Sequence, residues 1–390
     1  MQVSNQVYMK LSPDQARKVL CSVHGFDSLQ DGMEGARQIL EKHSCIQVDP
    51  INVTGRNHDL TLFSRVDGYK PEYLRSLLYE HHELFEYYCK MFSIITMGDY
   101  PIFKNEMKKQ EEKFAPLFDK YSEELEYIMK VLEEKPVSSL ELKDMGPSGS
   151  KTWRTKNISN SLLRSLWLAG KTAIAYRQGE RKYYTPREKV IPKGILKKPV
   201  PNESKKKIAE MIVNSSRLVS PSKASAQWDR VGRVKEVTQV LEQLREEEKV
   251  FPLEIEGWGG KLYGHIDDKQ KWEEPPEYSP YVRFLAPLDP VLWNRELFYT
   301  IFGHEYVWEI YKKEKERKYG YYCLPVIFNG DYVALIDPYY RKDECILEIR
   351  NFHIIREDLD MDSFKEYFRL ELKRLMKFLG ANKLDERGLF

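Results

Sequence analysis

The strongest constraint on this chain is an order of elements that returns along its length. In residues 121–135, "YSEELEYIMKVLEEK", apolar side chains recur at helical spacing, and "PVSSLELKDMG" (136–146) reads as a short capped helix ending at Gly146. "ISNSLLRSLWLAG" (158–170) predicts a third helix, with Ser159 or Asn160 as its cap and Gly170 as its terminator. "TAIAYRQGERKYYTP" then alternates as a hairpin about Gln178-Gly179-Glu180. Three helices followed by a two-stranded wing describe a winged helix, a variant of the helix-turn-helix. The order recurs as "ESKKKIAEMIVNSS", "SPSKASAQWD" and "RVKEVTQVLEQLREEEK", with "VFPLEIEGWGGKLYGH" as a hairpin turning at Gly257 to Gly260. A looser version opens the chain, from "SPDQARKVLCSV" and "GMEGARQILEKH" through "CIQVDPINV" and "RNHDLTLFSRV" to the paired strands of "LFEYYCKMFSIITM".

A chain of 390 residues is too long for one ordinary core. The expectation is therefore a mainly α chain with small β wings (α+β): tandem winged-helix domains and a C-terminal β-rich domain. Residues 1–110 would form the first winged helix, 111–200 the second, 201–272 the third and 273–390 the last domain. After the linker-like "WEEPPEYSP", the last part offers the strands "VRFLAPLDP", "GYYCLPVIFNG", "DYVALIDPYY" and "CILEIRNFHI". Asn329-Gly330-Asp331 turns between two of them, and the helix "MDSFKEYFRLELKRLMKFLGA" follows.

Charge is distributed unevenly. The net charge is +2, yet residues 151–207 hold sixteen Lys/Arg against three Glu and no Asp. A charge run is usually only a solvated face. Here it is interleaved with Trp153, Trp167, Tyr176, Tyr183 and Tyr184, a combination suited to a phosphate backbone with nearby stacking side chains. No apolar run approaches the roughly 20 residues of a membrane span, and the first residues lack the pattern of a secretory signal. The five cysteines are scattered without a CxxC pair, as expected for reduced thiols in the cytoplasm.

One short stretch carries candidate chemistry. In "CIQVDPINVTGR" (45–56) apolar Ile46 and Val48 alternate with Gln47 and Asp49 before Pro50. On a strand, Gln47 and Asp49 would share one face, with Ile46 and Val48 in the core and Pro50 ending the pairing at an exposed edge. Spacing alone leaves two readings: a reactive pair, or an Asp-Pro turn preceded by a solvated glutamine.

"QVDPINVTGRNHDLTLFSRV", "ELFEYYCKMFSII", "ERKYYTP", "FLAPLDPVLWNRE" and "RKYGYYCLPVIFNG", in this order and spacing, resemble the AlkZ/YcaQ winged-helix DNA glycosylases over residues 10 to 350. The resemblance implies removal of alkylated purines, including interstrand crosslinks joined through purine N7. Gln47-Val48-Asp49 matches the Gln-apolar-Asp signature of the YcaQ (AlkX) branch, where the AlkZ branch has Gln-apolar-Gln. That difference favours broader crosslink repair over antibiotic self-resistance.

N7 alkylation makes the purine a good leaving group, so the cost falls on a sugar of oxocarbenium character. Asp49 is the candidate to stabilise that cation and to orient or deprotonate a water, with Gln47 holding the water or the anomeric region. No metal or other cofactor is implied. No lysine nucleophile stands out beside the motif, which favours a hydrolytic, monofunctional enzyme. The partner would be double-stranded DNA with alkylated or crosslinked purines, met by a monomer without a membrane role.

Candidate DNA contacts are Arg56, His58 and Arg65 after the motif, and Trp153, Arg154, Lys156, Arg164, Arg177, Arg181 and Lys182 in the basic stretch, through phosphate more than base edges. His43 is expected to be structural, and His81-His82-Glu83 to lie on the surface. The basic "KEKERKYGYY" (313–322) fits either a minor-groove hairpin or an ordinary strand entry. The rival from another class is a non-catalytic winged-helix DNA-binding protein or regulator.

Overall fold

Residues Met9–Leu11 form a strand whose partner lies far along the chain: they pair in parallel with Leu253–Ile255. That pairing extends the hairpin of Val250–Ile255 and Leu262–His265 into a four-stranded sheet closed by Leu218–Val219. The computed structural model describes residues 9–145, 158–221 and 226–389. It divides into two units: residues up to Leu74 with Cys89–Ser93 and everything from Ile208 onward, and Arg75–Tyr88 with Ile94–Lys207.

In the first unit, the helix Pro13–Val23 begins at a capping box, Ser12 with Gln15, and turns Ala16, Val19, Leu20 and Val23 inward. They join Leu253 and Ile255 of the sheet and Phe298 and Ile301 of the helix Arg295–Phe302 in one core. A second sheet has five strands in the order Val282–Phe284, Leu324–Phe328, Asp331–Arg341, Ile346–Ile354 and Lys383–Asp385. Its central hairpin turns at Asn329 and Gly330, both at positive φ (51° and 88°), the backbone that a tight two-residue hairpin requires. The helix Met361–Leu379 buries Phe364 and Phe368 against Phe284, Phe328 and Phe352.

The second unit contains the helices Lys104–Lys120, Ser122–Glu134, Ser139–Met145 and Ile158–Leu168, then the hairpin Thr172–Gln178 and Arg181–Pro186. Gly179 lies at φ 59° in its turn. Ile128, Leu132, Leu142, Leu162, Leu166, Trp167, Ile174 and Tyr184 are buried there.

The protein is thus a mixed α/β chain with several sheets. Among the described residues, no helix is long and apolar enough to cross a membrane. Some local expectations are corrected. Ser159 does not cap its helix from outside; its hydroxyl donates to the Ser139 carbonyl at 3.0 Å. Of the helix expected over 220–229, residues 222–225 lie outside the described residues and Ala226–Trp228 form one 3-10 turn, where the buried Trp228 indole donates to the Ser220 carbonyl. The expected terminator Gly146 lies outside the described residues.

Candidate active site

The motif begins where a helix ends. Gly32–His43 stops at Ser44, whose φ of 57° redirects the chain into the short strand Cys45–Gln47. Ser215 holds this entry: its hydroxyl lies within hydrogen-bonding reach of the carbonyls of both His43 and Cys45 and shares its one proton between them. Ile46 is fully buried as expected, but burial does not alternate: Cys45 and Gln47 are buried beside it, and Val48, expected in the core, is only half-buried. Gln47 is not at an exposed edge, however; it is only 7% exposed. The backbone N–H of Val48 donates to the Phe92 carbonyl at 2.8 Å, and the strand ends before Pro50, which has no N–H to give.

Asn57 fixes the motif from below. Its Nδ2 donates to the Gln47 carbonyl at 2.9 Å, and its Oδ1 accepts the Leu288 N–H at 2.8 Å. The segment after Leu288 is folded by its own polar residues: Asp289 accepts the Val291 N–H, and Asn294 caps the helix Arg295–Phe302. Tyr322 approaches as well, its hydroxyl donating to the Gly55 carbonyl at 3.1 Å. Burial, and then the nearby charges of Asp49 and Asp59, push that phenol well above its ordinary pKa. Four of the stretches singled out in the sequence therefore converge on Gln47-Val48-Asp49.

The side-chain amide of Gln47 is oriented by Lys90. Lys90 Nζ donates to Gln47 Oε1 at 2.8 Å and sits 4.8 Å from the centre of the Trp293 ring. With Oε1 accepting from Lys90, the oxygen of the amide faces the lysine and the Nε2 donors turn elsewhere. Desolvation, helped by the charge of Arg295, lowers the Lys90 pKa to about 7. Asp49 is half-buried, and its Oδ1 accepts the Ile51 N–H at 2.9 Å, forming a turn across Pro50. Asp49 thus does take the turn role that spacing allowed.

The other sequence candidates fall into separate groups. Arg56 is half-buried immediately before the helix Asn57–Phe63, and His58 lies within that helix, 9% exposed. Arg65 is fully buried and binds both oxygens of Asp289, at 2.7 and 2.8 Å. A guanidinium with no exposed surface and its fork already filled has none to offer a phosphate, which corrects the expectation for Arg65.

In the second unit, Arg164 and Arg181 are exposed, while Arg177 grips the buried carboxylate of Glu86. Lys182 lies 4.4 Å above the Trp167 ring, and burial lowers its pKa to about 8. Trp153, Arg154 and Lys156 lie outside the described residues. His43 is buried with Nδ1 on the Ser215 carbonyl, the structural role expected of it. His81 is exposed, whereas His82 and Glu83 are half-buried.

Residues 313–322 form no hairpin and instead lead into the strand Leu324–Phe328, the strand entry of the two alternatives. They make a loop whose N–H groups at Lys318, Tyr319 and Gly320 go to Glu309 and at Tyr321 and Tyr322 to Asp337. Burial alone would raise the Glu309 pKa, but these N–H groups and Lys312 hold it down at about 2.

Sequence reasoning missed Lys90, Asn57, Trp293 and Asp289. Lys90 had a visible signal, a lone cation between the two apolar runs of "LFEYYCKMFSII".

A mixed α/β fold that sets an amide and a carboxylate two residues apart fits an enzyme that cleaves the N-glycosyl bonds of DNA. Residues 40–378 match the family described as DNA glycosylase AlkZ-like, and the chain belongs to that family. It is accordingly a DNA glycosylase of repair, a hydrolase of N-glycosyl bonds with DNA as its substrate. The solved Streptomyces sahachiroi DNA glycosylase AlkZ has a similar fold, with a TM-score of 0.64 at 12% identity over 97% of this chain and 99% of that one.

Proposed function

We propose that this glycosylase hydrolyses the bond between deoxyribose and N7-alkylated purines, including bulky adducts and interstrand crosslinks. The observation that carries the reading is the fixed amide of Gln47 two residues from a half-buried carboxylate. Asp49 stabilises the cation developing at C1′ and takes a proton from the attacking water. Gln47 turns its Nε2 donors toward the water or the anomeric region. The half-buried position of Asp49 suits a shallow site, which a tethered base can reach without leaving the stack freely.

Each run of helices ending in a hairpin is read as a winged helix, within the four domains expected from sequence. The exposed Arg164 and Arg181 meet phosphates of duplex DNA, and the enzyme works as a monomer in the cytoplasm, on the nucleoid. The first reaction step is hydrolytic. A purely monofunctional enzyme was expected because no lysine stood beside the motif, and Lys90 removes that ground.

The test is incubation with duplexes carrying N7-methylguanine or a nitrogen-mustard crosslink, followed by cleavage at abasic sites. Strand breaks at the alkylated guanine are expected. Their absence from both substrates, with DNA still bound, would sink the reading.

A further inference from the structure

Lys90 is a chemical group that excision by hydrolysis leaves unused. It lies in the hairpin tip Cys89–Ser93, half-buried, between the strands Leu84–Tyr88 and Phe92–Thr96. Its Nζ contacts are the Gln47 amide oxygen and the face of Trp293, and no carboxylate of the described residues lies within ion-pairing distance. Asp229 is near enough to be felt as a charge but is not paired with Lys90. The lysine is held against a neutral acceptor on the residue proposed to face the anomeric carbon.

We propose that Lys90 is a Schiff-base-forming amine, giving the enzyme a second activity as a lyase on the abasic site left by excision. The proposal rests on the reading of Gln47 and Asp49 as the residues facing C1′.

The chemistry balances without any added oxidant or reductant. Ring opening of the abasic sugar gives an aldehyde at C1′. The lone pair of neutral Lys90 Nζ adds to that carbon, and the carbinolamine loses one water to give a protonated imine. A carboxylate such as Asp49, or a water, takes a proton from C2′. The released electron pair expels the 3′ phosphate from C3′, and it departs with the electrons of the broken C–O bond. Water then hydrolyses the conjugated imine, freeing Lys90 and an unsaturated aldehyde.

An ordinary lysine, with a pKa of about 10.4, is almost wholly protonated at neutral pH and cannot begin this sequence. Burial and the neighbouring Arg295 outweigh Cys45 and the carboxylate of Asp229, which act the other way, and lower Lys90 to about 7, so a large share carries the free lone pair.

The experiment uses the full chain and duplex DNA whose abasic site was made beforehand by excising uracil with another enzyme. Lysine chemistry is thereby separated from this protein's own excision. Sodium borohydride, which reduces an imine to a stable amine, is the trap. A covalent protein–DNA species is expected from the parent protein, with its formation rate rising through a midpoint near pH 7. Trapping should be lost in Lys90→Met, which keeps an apolar stem for Trp293, and in Lys90→Arg, which keeps a cation that cannot form an imine. Melting is measured on both variants. Should either unfold, the trapped parent protein is digested and the modified peptide sequenced by mass spectrometry. An adduct on the peptide holding Lys90 supports the proposal, and an adduct on another amine overturns it. Trapping that persists in folded Lys90→Arg overturns it too. A parent protein that excises N7-methylguanine yet traps no abasic DNA removes the lyase and leaves the glycosylase. One that traps abasic DNA but excises nothing removes the excision reading and leaves the lysine chemistry standing.

Discussion

Arg65 and Asp289, 224 positions apart, form a doubly hydrogen-bonded ion pair with neither side chain exposed. The same guanidinium donates to the Thr61 carbonyl and faces His24 Nδ1 at 3.2 Å. The pair thereby joins the end of the helix Asn57–Phe63 to the segment that carries Leu288 and Trp293. Removing one partner strands a buried charge, at a cost of about 3–5 kcal/mol. Arg65→Ala and Asp289→Ala should each lose stability of that order in urea unfolding, and excision should fall with it. A change within the error of the measurement would mean the pair is dispensable.

Asp49→Asn separates chemistry from folding. Asparagine retains an oxygen for the Ile51 N–H, so the turn across Pro50 survives and the melting temperature should hold. Only the charge is lost, and with it general-base help and cation stabilisation. The excision rate should drop on the order of a hundredfold to ten-thousandfold, with DNA affinity held or slightly raised. Gln47→Ala should cost less, since it removes a positioning group and leaves the charge. A folded Asn variant that excises at the parent rate would reduce Asp49 to its turn.

Two stacked histidines give the fold an acid limit. His24 and His43 are fully buried, with ring centroids 5.5 Å apart. Burial, then the charge of Arg65, with Lys42 and Arg217 acting on both rings, hold both pKa values well below the ordinary range. The folded state therefore prefers them neutral, while the unfolded chain takes up their protons below about pH 6.5. Their contribution is complete above that pH and is lost as pH falls through it, at up to about 1.4 kcal/mol per pH unit for each histidine. Melting followed from pH 7.5 to 5.5 should show the decline, and His24→Gln should flatten it. A pH-independent melting temperature would contradict the assignment.

Basic residues of the second unit should divide by what already holds them. Arg164 and Arg181 are exposed, so Arg164→Glu and Arg181→Glu should weaken binding to any duplex. Each should flatten the salt dependence by about one phosphate contact while leaving melting unchanged. Arg177→Glu should instead lower the melting temperature, because it faces the buried Glu86. Titrations of DNA at several salt concentrations, beside melting curves, make the distinction. An unchanged salt slope in the first two variants would move the interface elsewhere.

Local elements were legible wherever the chain's own periodicity sets them. The capped helix at Ser12, the hairpins at Gly179 and at Gly257–Gly260, the Asn329-Gly330 turn and the aromatic terminal helix each follow from residues within one turn or one strand of each other. The Gln47-Val48-Asp49 motif was visible as a pattern, but alternation placed only the neighbouring Ile46 correctly, since Gln47 is buried and Val48 only half-buried. The surroundings of that motif could not be read in the same way. Nothing near position 9 announces a parallel partner at 253, and nothing near 65 announces an acid at 289. These pairings are chosen by burying apolar strands and satisfying buried polar groups across the whole chain, and such groups leave no periodic trace. Lys90 shows the division most clearly. The sequence determines that a lysine interrupts two apolar strands. Only the tertiary structure sets it against Gln47 and Trp293, where desolvation turns an ordinary cation into an amine with a pKa of about 7.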